Sequence, residues 1–183
     1  MEKDRDGLTH LDPEGKPRMV DVSQKADTLR TAVAEGSIRM SGETLAAIQE
    51  GQTPKGNVLQ VAQIAGIQAG KRTGELIPLC HLLPGTAVSV EVGLDAELPG
   101  VRVRAEAALK GQTGVEMEAL TAASVALLTV YDMVKSKDRG MVLEGIRLVS
   151  KEGGRSGSWA LGGSDGGSDT GSDTGSEGQP PGR

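Results

Sequence analysis

"AVSVEVGLDAELPGVRVRAEAALK", residues 87–110, is the stretch whose reading decides the fold. Val88, Val90 and Val92 alternate with other residues. After Leu98-Pro99-Gly100 the alternation resumes through Val101, Val103, Ala105 and Ala107. A period of two puts one set of side chains on one face of an extended chain. Two such runs about a Pro-Gly break predict a β-hairpin.

On the C-terminal side, the pattern predicts a long helix from about Val115 to Lys135 and a last strand, GIRLVSK (145–151). On the N-terminal side, Met19–Val22 and Leu29–Met40 have the character of extended segments. Ser41 is a good N-cap for a helix from about Gly42 to Glu50, halted by Gly51. After the turn QTPKGN, the run VLQVAQIAGIQAGKR (58–72) predicts a second helix, with Val58, Val61, Ala62 and Ala65 on one face. The order strand, two helices, hairpin, helix, strand predicts an α+β domain, an antiparallel sheet with helices on one face.

The 183 residues include no Phe, one Trp and one Tyr, so Val, Leu, Ile, Ala and Met must fill the core. Aromatic side chains bury the most area each. A core without them is thin, which points to subunit contacts as a supplement. One cysteine excludes an internal disulfide, and two histidines with it do not make an ordinary zinc site. Any metal is expected to be a hard cation held by carboxylates and phosphates. No apolar run reaches the roughly 18 residues of a membrane span. The N-terminus MEKDRDGLTH lacks the apolar centre of a secretory signal, so the expected setting is the cytoplasm.

The net charge is −5. Asp165, Asp169, Asp173 and Glu177 against Arg183 place −3 of it in residues 162–183, leaving −2 for residues 1–161. That balance does not suit a general nucleic-acid binder. The tail GGSDGGSDTGSDTGSEGQPPGR has no apolar residue to offset the entropy of ordering. It is expected to be disordered, with residues 1–161 forming a single folded domain.

The long helix carries the strongest chemical signal. At 100° per residue, Glu118, Thr121, Ser124, Thr129, Asp132 and Lys135 share one arc of an otherwise apolar cylinder, with Glu116 nearly opposite. Either the arc faces water and Asp132–Lys135 is an ordinary i,i+3 pair, or it lines a cleft where acid and ammonium do acid–base work. Glu118 and Asp132 are 14 residues apart, roughly 21 Å along a straight helix. They cannot serve one small substrate from one copy of the chain, so a site using both must combine two chains.

Other candidates stand beside bland alternatives. Lys55, on a turn between Pro and Gly, is either a solvated loop residue or a group that reaches a phosphate or a proton. Lys71 and Arg72 suit a helix C-terminus electrostatically. Lys151 and the loop Gly153-Gly154-Arg155-Ser156-Gly157 approach the composition of a phosphate loop without matching a Walker A motif. In LIPLCHLLPG (76–85) an extended chain would send Cys80 and His81 to opposite faces, which disfavours a thiolate–imidazolium pair. His81 alone could bind a substrate or carry a proton.

Four strings occur in order: LTHLD…MVDVS, KGNVLQVAQIAGIQAGKRTGELIPLCH, TGVEMEALTAASVALLTVYDMVK and KEGGRSGSW. Together they resemble the MoaC family over about residues 8–159. The resemblance implies a ferredoxin-like α+β fold. It also implies conversion of 3′,8-cyclo-7,8-dihydro-GTP, the product of a radical-SAM GTP cyclase, into cyclic pyranopterin monophosphate with release of pyrophosphate, in molybdenum cofactor biosynthesis. It implies a homohexamer, a trimer of dimers, with the active site between two subunits. By matching position it assigns catalysis to Asp132, Lys135 and Lys55. It assigns the substrate pocket to Leu79, Cys80, His81, Met117, Glu118 and Glu116, and the triphosphate and guanine-derived ring to the cations Arg30, Lys151 and Arg72. No resident cofactor or metal is implied, although Mg2+ could accompany the triphosphate. The chain departs from the family pattern at Asn57, which removes a carboxylate beside Lys55, at Arg155 in place of a lysine, and in its tail.

Overall fold

The computed structural model describes residues 15–19, 22, 25–154 and 157–162. The elements run β1 (Thr28–Arg39), α1 (Gly42–Gln49), α2 (Val58–Gly70), α3 (Thr73–Leu76), β2 (Ala87–Asp95), β3 (Gly100–Gly111), α4 (Glu116–Val134), β4 (Val142–Glu152) and β5 (Trp159–Ala160). The strands form one sheet in the order β2-β3-β1-β4-β5, with every neighbouring pair antiparallel. The expected α+β architecture is therefore the observed one. The β2-β3-β1-β4 order with helical crossovers is the ferredoxin-like arrangement. Val20 and Asp21, in the expected first extended segment, and the tail from residue 163 lie outside the described residues.

The hairpin supplies the register that builds the core. Val90 faces Ala105 of β3, which in turn faces Ala34 of β1, and all three are buried on the helix side. Ile38, Val101, Val103 and Ala107 continue that surface. Against it lies α4, burying Ala119, Ala122, Ala123, Ala126, Leu127, Val130 and Val134. By length and composition α4 could cross a membrane. Here it is the central helix of the core, which accounts for its apolar circumference.

Small side chains replace the missing aromatics by letting backbones approach. A methyl group on Gly66 of α2 would come within 2.8 Å of the Ala122 carbonyl oxygen, and one on Gly70 within 3.1 Å of that of Glu118. The two helices thus run antiparallel in near-backbone contact, and Gln63 Nε2 donates to Val90 O at 2.8 Å to tie α2 to the sheet. This close approach also rotates the α2 face from the expected one. Val58, Ala62, Gly66 and Ala69 are buried, while Val61 is exposed. Leu127, fully buried, is the largest α4 side chain in this alanine-rich layer. Leu127→Ala is expected to lower stability by about 2–5 kcal/mol, read from the denaturant midpoint at unchanged slope.

The opposite face of the sheet is polar. Glu91, Arg104, Glu35 and Arg147 stand in one row across four strands. Arg147 Nη2 lies 2.6 Å from Glu35 Oε1. A concavity of about 640 Å3 on this face is lined by these residues together with Asp95 and Arg102, which pair with each other. None of the site residues expected from the sequence lies in it.

Candidate active site

The C-terminal end of α4 brings three expected residues together. Lys55 Nζ donates to Asp132 Oδ2 at 2.5 Å and to the Asp132 carbonyl at 3.1 Å. Lys135 Nζ reaches Asp132 Oδ1 at 2.7 Å. One carboxylate therefore bridges two ammonium groups, and all three side chains are about half exposed. These hydrogen bonds, from Lys135 first and then Lys55, hold the Asp132 carboxyl at about 2. Asp132 in turn raises Lys135 above the usual lysine value. A lowered value is what proton shuttling by a lysine favours, so the single chain keeps Lys135 a committed cation.

The turn carrying Lys55 is locally fixed. Thr53 Oγ1 donates to the Gly56 carbonyl at 2.5 Å. Asn57 caps α2, accepting from Gln60 N at 3.1 Å. Asn and Asp are comparable N-caps. The departure at position 57 removes a charge beside Lys55 but keeps the helix start.

The N-terminal end of α4 forms a separate cleft of about 420 Å3. Ile77, Pro78, Leu79, Cys80, His81, Leu83, Thr113, Gly114, Glu116, Met117 and Glu118 line it. The 77–80 segment is a turn and not an extended strand. Cys80 N donates to Ile77 O at 3.2 Å, and Leu79 adopts φ 62°. Proline second and a left-handed residue third mark a type II turn, which is why Cys80 and His81 line the same cleft. Burial pushes the Cys80 thiol up, and the Glu118 charge adds to it. A thiol so held is a poor nucleophile.

Glu118 is 2% exposed, and its Oε2 has no hydrogen-bond partner. Burial raises its carboxyl above the usual range, with Glu116 adding to the shift. A hydrogen bond from its own backbone N–H and the positive end of α4 oppose this, but a helix terminus is worth only ~0.3–1 kcal/mol. Burying an ionised carboxylate without a partner costs several kcal/mol. Burial decides the direction.

Around the cleft, Glu116 pairs with Lys151 at 3.3 Å. Arg30 donates from Nε to Gly111 O at 3.1 Å and from Nη2 to Gln112 O at 3.2 Å. A side chain at position 154 would collide with the Arg30 guanidinium, so Gly154 lets that loop close over it. Arg30 thereby ties the turn before α4 to the loop after β4. Arg72 pairs with Glu75 at 3.5 Å and does not line the cleft. Arg155 lies outside the described residues. Among the described residues no group of three His, Cys, Asp or Glu side chains is placed to hold a metal ion. Thr113 and Gly114 were not expected in the cleft; the Gly-rich turn GQTG (111–114) just before α4 was the available signal.

Residues 19–154 match the MoaC family, spanning both ends of α4 and the Lys55 turn. The chain belongs to the MoaC family. A relative from Methylobacterium sp. (strain 4-46) is 63% identical over 153 residues, covering 84% of this chain and 96% of the relative. One from Brucella ovis is 59% identical over 154 residues, covering 84% and 93%. One from Cereibacter sphaeroides (strain KD131) is 60% identical over 151 residues, covering 82% and 95%. Each of the three is named cyclic pyranopterin monophosphate synthase. The MoaC match ends at Gly154.

Proposed function

We propose that this chain is itself a cyclic pyranopterin monophosphate synthase, working at a site assembled from two subunits. MoaC membership makes it an enzyme of molybdenum cofactor biosynthesis. The observation that carries the two-subunit reading is the separation of its chemistry. Lys55, Asp132 and Lys135 sit at one end of α4, and the cleft with His81, Glu116 and Glu118 sits at the other. Between them runs an uncovered stripe of α4. Met117 and Leu128 are exposed on it, and Leu120, Ser124 and Tyr131 are half-buried. Two copies of α4 packed antiparallel across this stripe, with a two-fold axis level with Val125, set residue 132 of one copy against residue 118 of the other. Repeated three times, that dimer gives the proposed homohexamer.

In this reading the substrate is 3′,8-cyclo-7,8-dihydro-GTP supplied by a radical-SAM GTP cyclase, and the setting is cytoplasmic. Its rearrangement and phosphate cyclisation are proton- and phosphoryl-transfer steps that need acids, bases and cations. Lys55 moves protons, Lys135, held as a cation by Asp132, stabilises the negative charge that develops, and Asp132 orients both ammonium groups. Lys151 offsets charge on the phosphates. Arg30 does so with the donors left after its two carbonyl bonds. Arg72 belongs at the periphery. Leu79 and Met117 flank the heterocycle, His81 hydrogen-bonds it, and Cys80 packs beside it. Mg2+, if it accompanies the triphosphate, is held by the phosphates.

Purified protein given this substrate should release pyrophosphate and form the pyranopterin, and Lys55→Ala should lower turnover by about 10²–10⁴-fold. Binding without turnover in the wild type would leave a pterin-binding module in place of the enzyme.

A further inference from the structure

Among the described residues, the Glu118 carboxyl is the one buried side-chain group left without a hydrogen-bond partner on one of its oxygens. It is 98% removed from solvent, lines the cleft, and keeps one oxygen, Oε2, without any hydrogen-bond partner. The cations that could have neutralised it are engaged elsewhere. Lys151 is paired with Glu116, and Arg30 is bonded to the Gly111 and Gln112 carbonyls. The other titratable groups around it are Glu116 on its own helix and Cys80 and His81 from the turn segment. Two of these three can only add negative charge. An ionised Oε2 here would face no donor, whereas a protonated one is a donor facing no acceptor. Both situations call for a ligand, but the surroundings favour the second.

We propose that Glu118 works as a carboxylic acid and not a carboxylate, presenting an O–H on Oε2 to a hydrogen-bond acceptor on the bound molecule. The cleft walls, Ile77, Pro78, Leu79, Leu83 and Met117, suit a flat, largely apolar body. A neutral carboxyl offers one donor and one acceptor side by side. It therefore selects a ligand edge with the complementary pair, a carbonyl oxygen or bare ring nitrogen next to an N–H. A bare carboxylate would instead select two adjacent N–H groups. The assignment deepens the proposed pterin-forming activity and takes from it only the identity of the ligand. No bond is made or broken by Glu118. It remains a binding group whose proton stays on it.

The protonation itself is testable without substrate. Infrared difference spectra of the wild type against Glu118→Gln, at neutral pH in D2O, should show the carbonyl stretch of a protonated carboxyl group, lost in the variant. A carboxylate stretch in its place overturns the inference whatever the protein catalyses. The function of the proton is tested by turnover of the cyclic dihydro-GTP substrate. Glu118→Ala should lower kcat/KM by about 10–100-fold, and Glu118→Gln, which keeps a neutral donor–acceptor pair, should recover at least about tenfold of that loss. Equal losses in the two variants, both shown folded by circular dichroism, overturn the inference. No turnover by the wild type, with the protonated-carboxyl signal present, would remove the proposed activity and leave Glu118 as the acid described.

Discussion

Replacing Asp132 by asparagine is expected to lower turnover by about 10³-fold while leaving the fold and the thermal midpoint unchanged. The carboxylate is the one group that fixes both Lys55, at 2.5 Å, and Lys135, at 2.7 Å. Asparagine keeps the volume and one acceptor oxygen but offers a single weak dipole to two ammonium groups, which then repel each other. Stability should not follow, because all three side chains are about half exposed and pairs of that kind contribute little to folding. Asp132, held at about 2, stays ionised across the whole physiological range. Its contribution to stability, small as it is, is complete above the unfolded carboxyl value near 4 and is lost only as the pH falls toward about 2. A variant that melts earlier at neutral pH would show instead that the triad is a structural clasp. Steady-state kinetics beside differential scanning calorimetry separates the two.

The second large effect is a gain. Lys55→Ala and His81→Ala damage opposite ends of α4, and each alone should be inactive. If every site takes Lys55 from one subunit and His81 from the other, a mixed dimer has one site with both defects and one with neither. Unfolding and refolding the two variants together in equal amounts gives half mixed dimers, and so about a quarter of wild-type activity. No recovery, in a sample shown by native mass spectrometry to contain mixed species, places both groups in one chain's site and removes the two-subunit reading. Few measurements on this protein offer such contrast, since the expected signal rises from nothing.

The fold was readable because its main signals are periodic. The alternation through Val88–Val92 and Val101–Ala107 specified the hairpin, and Ser41 and Gly51 marked the ends of α1. The short β5 was not foreseen, since a two-residue strand at Trp159–Ala160 has no period to detect. The α2 face was misjudged at Val61, which is exposed, because Gly66 and Gly70 allow a closer approach than side-chain patterning assumes. Within the site, the helical arc on α4 singled out Glu118, Asp132 and Lys135. It did not reveal that Lys55 meets Asp132, a contact between residues 77 positions apart. Nor did it reveal that Pro78-Leu79 turns the chain so that Cys80 and His81 share a cleft. Pairing across distance and a left-handed leucine leave no mark on local pattern. The resemblance to a known family supplied both groupings where residue-by-residue reasoning left them open.

The near-backbone contact of α2 with α4 has a consequence for how this protein tolerates change in length. Gly66 and Gly70 are seated on the Ala122 and Glu118 carbonyls with no side-chain layer to take up slack. An insertion or deletion of one residue between Glu118 and Asp132 would swing Asp132 by about 100° around the axis and away from Lys55. Two whole turns would restore its direction but move it by about 10 Å. Neither error can be shared out by gradual repacking. The segment between the two acids behaves as a gear with fixed teeth, closed to any change in count.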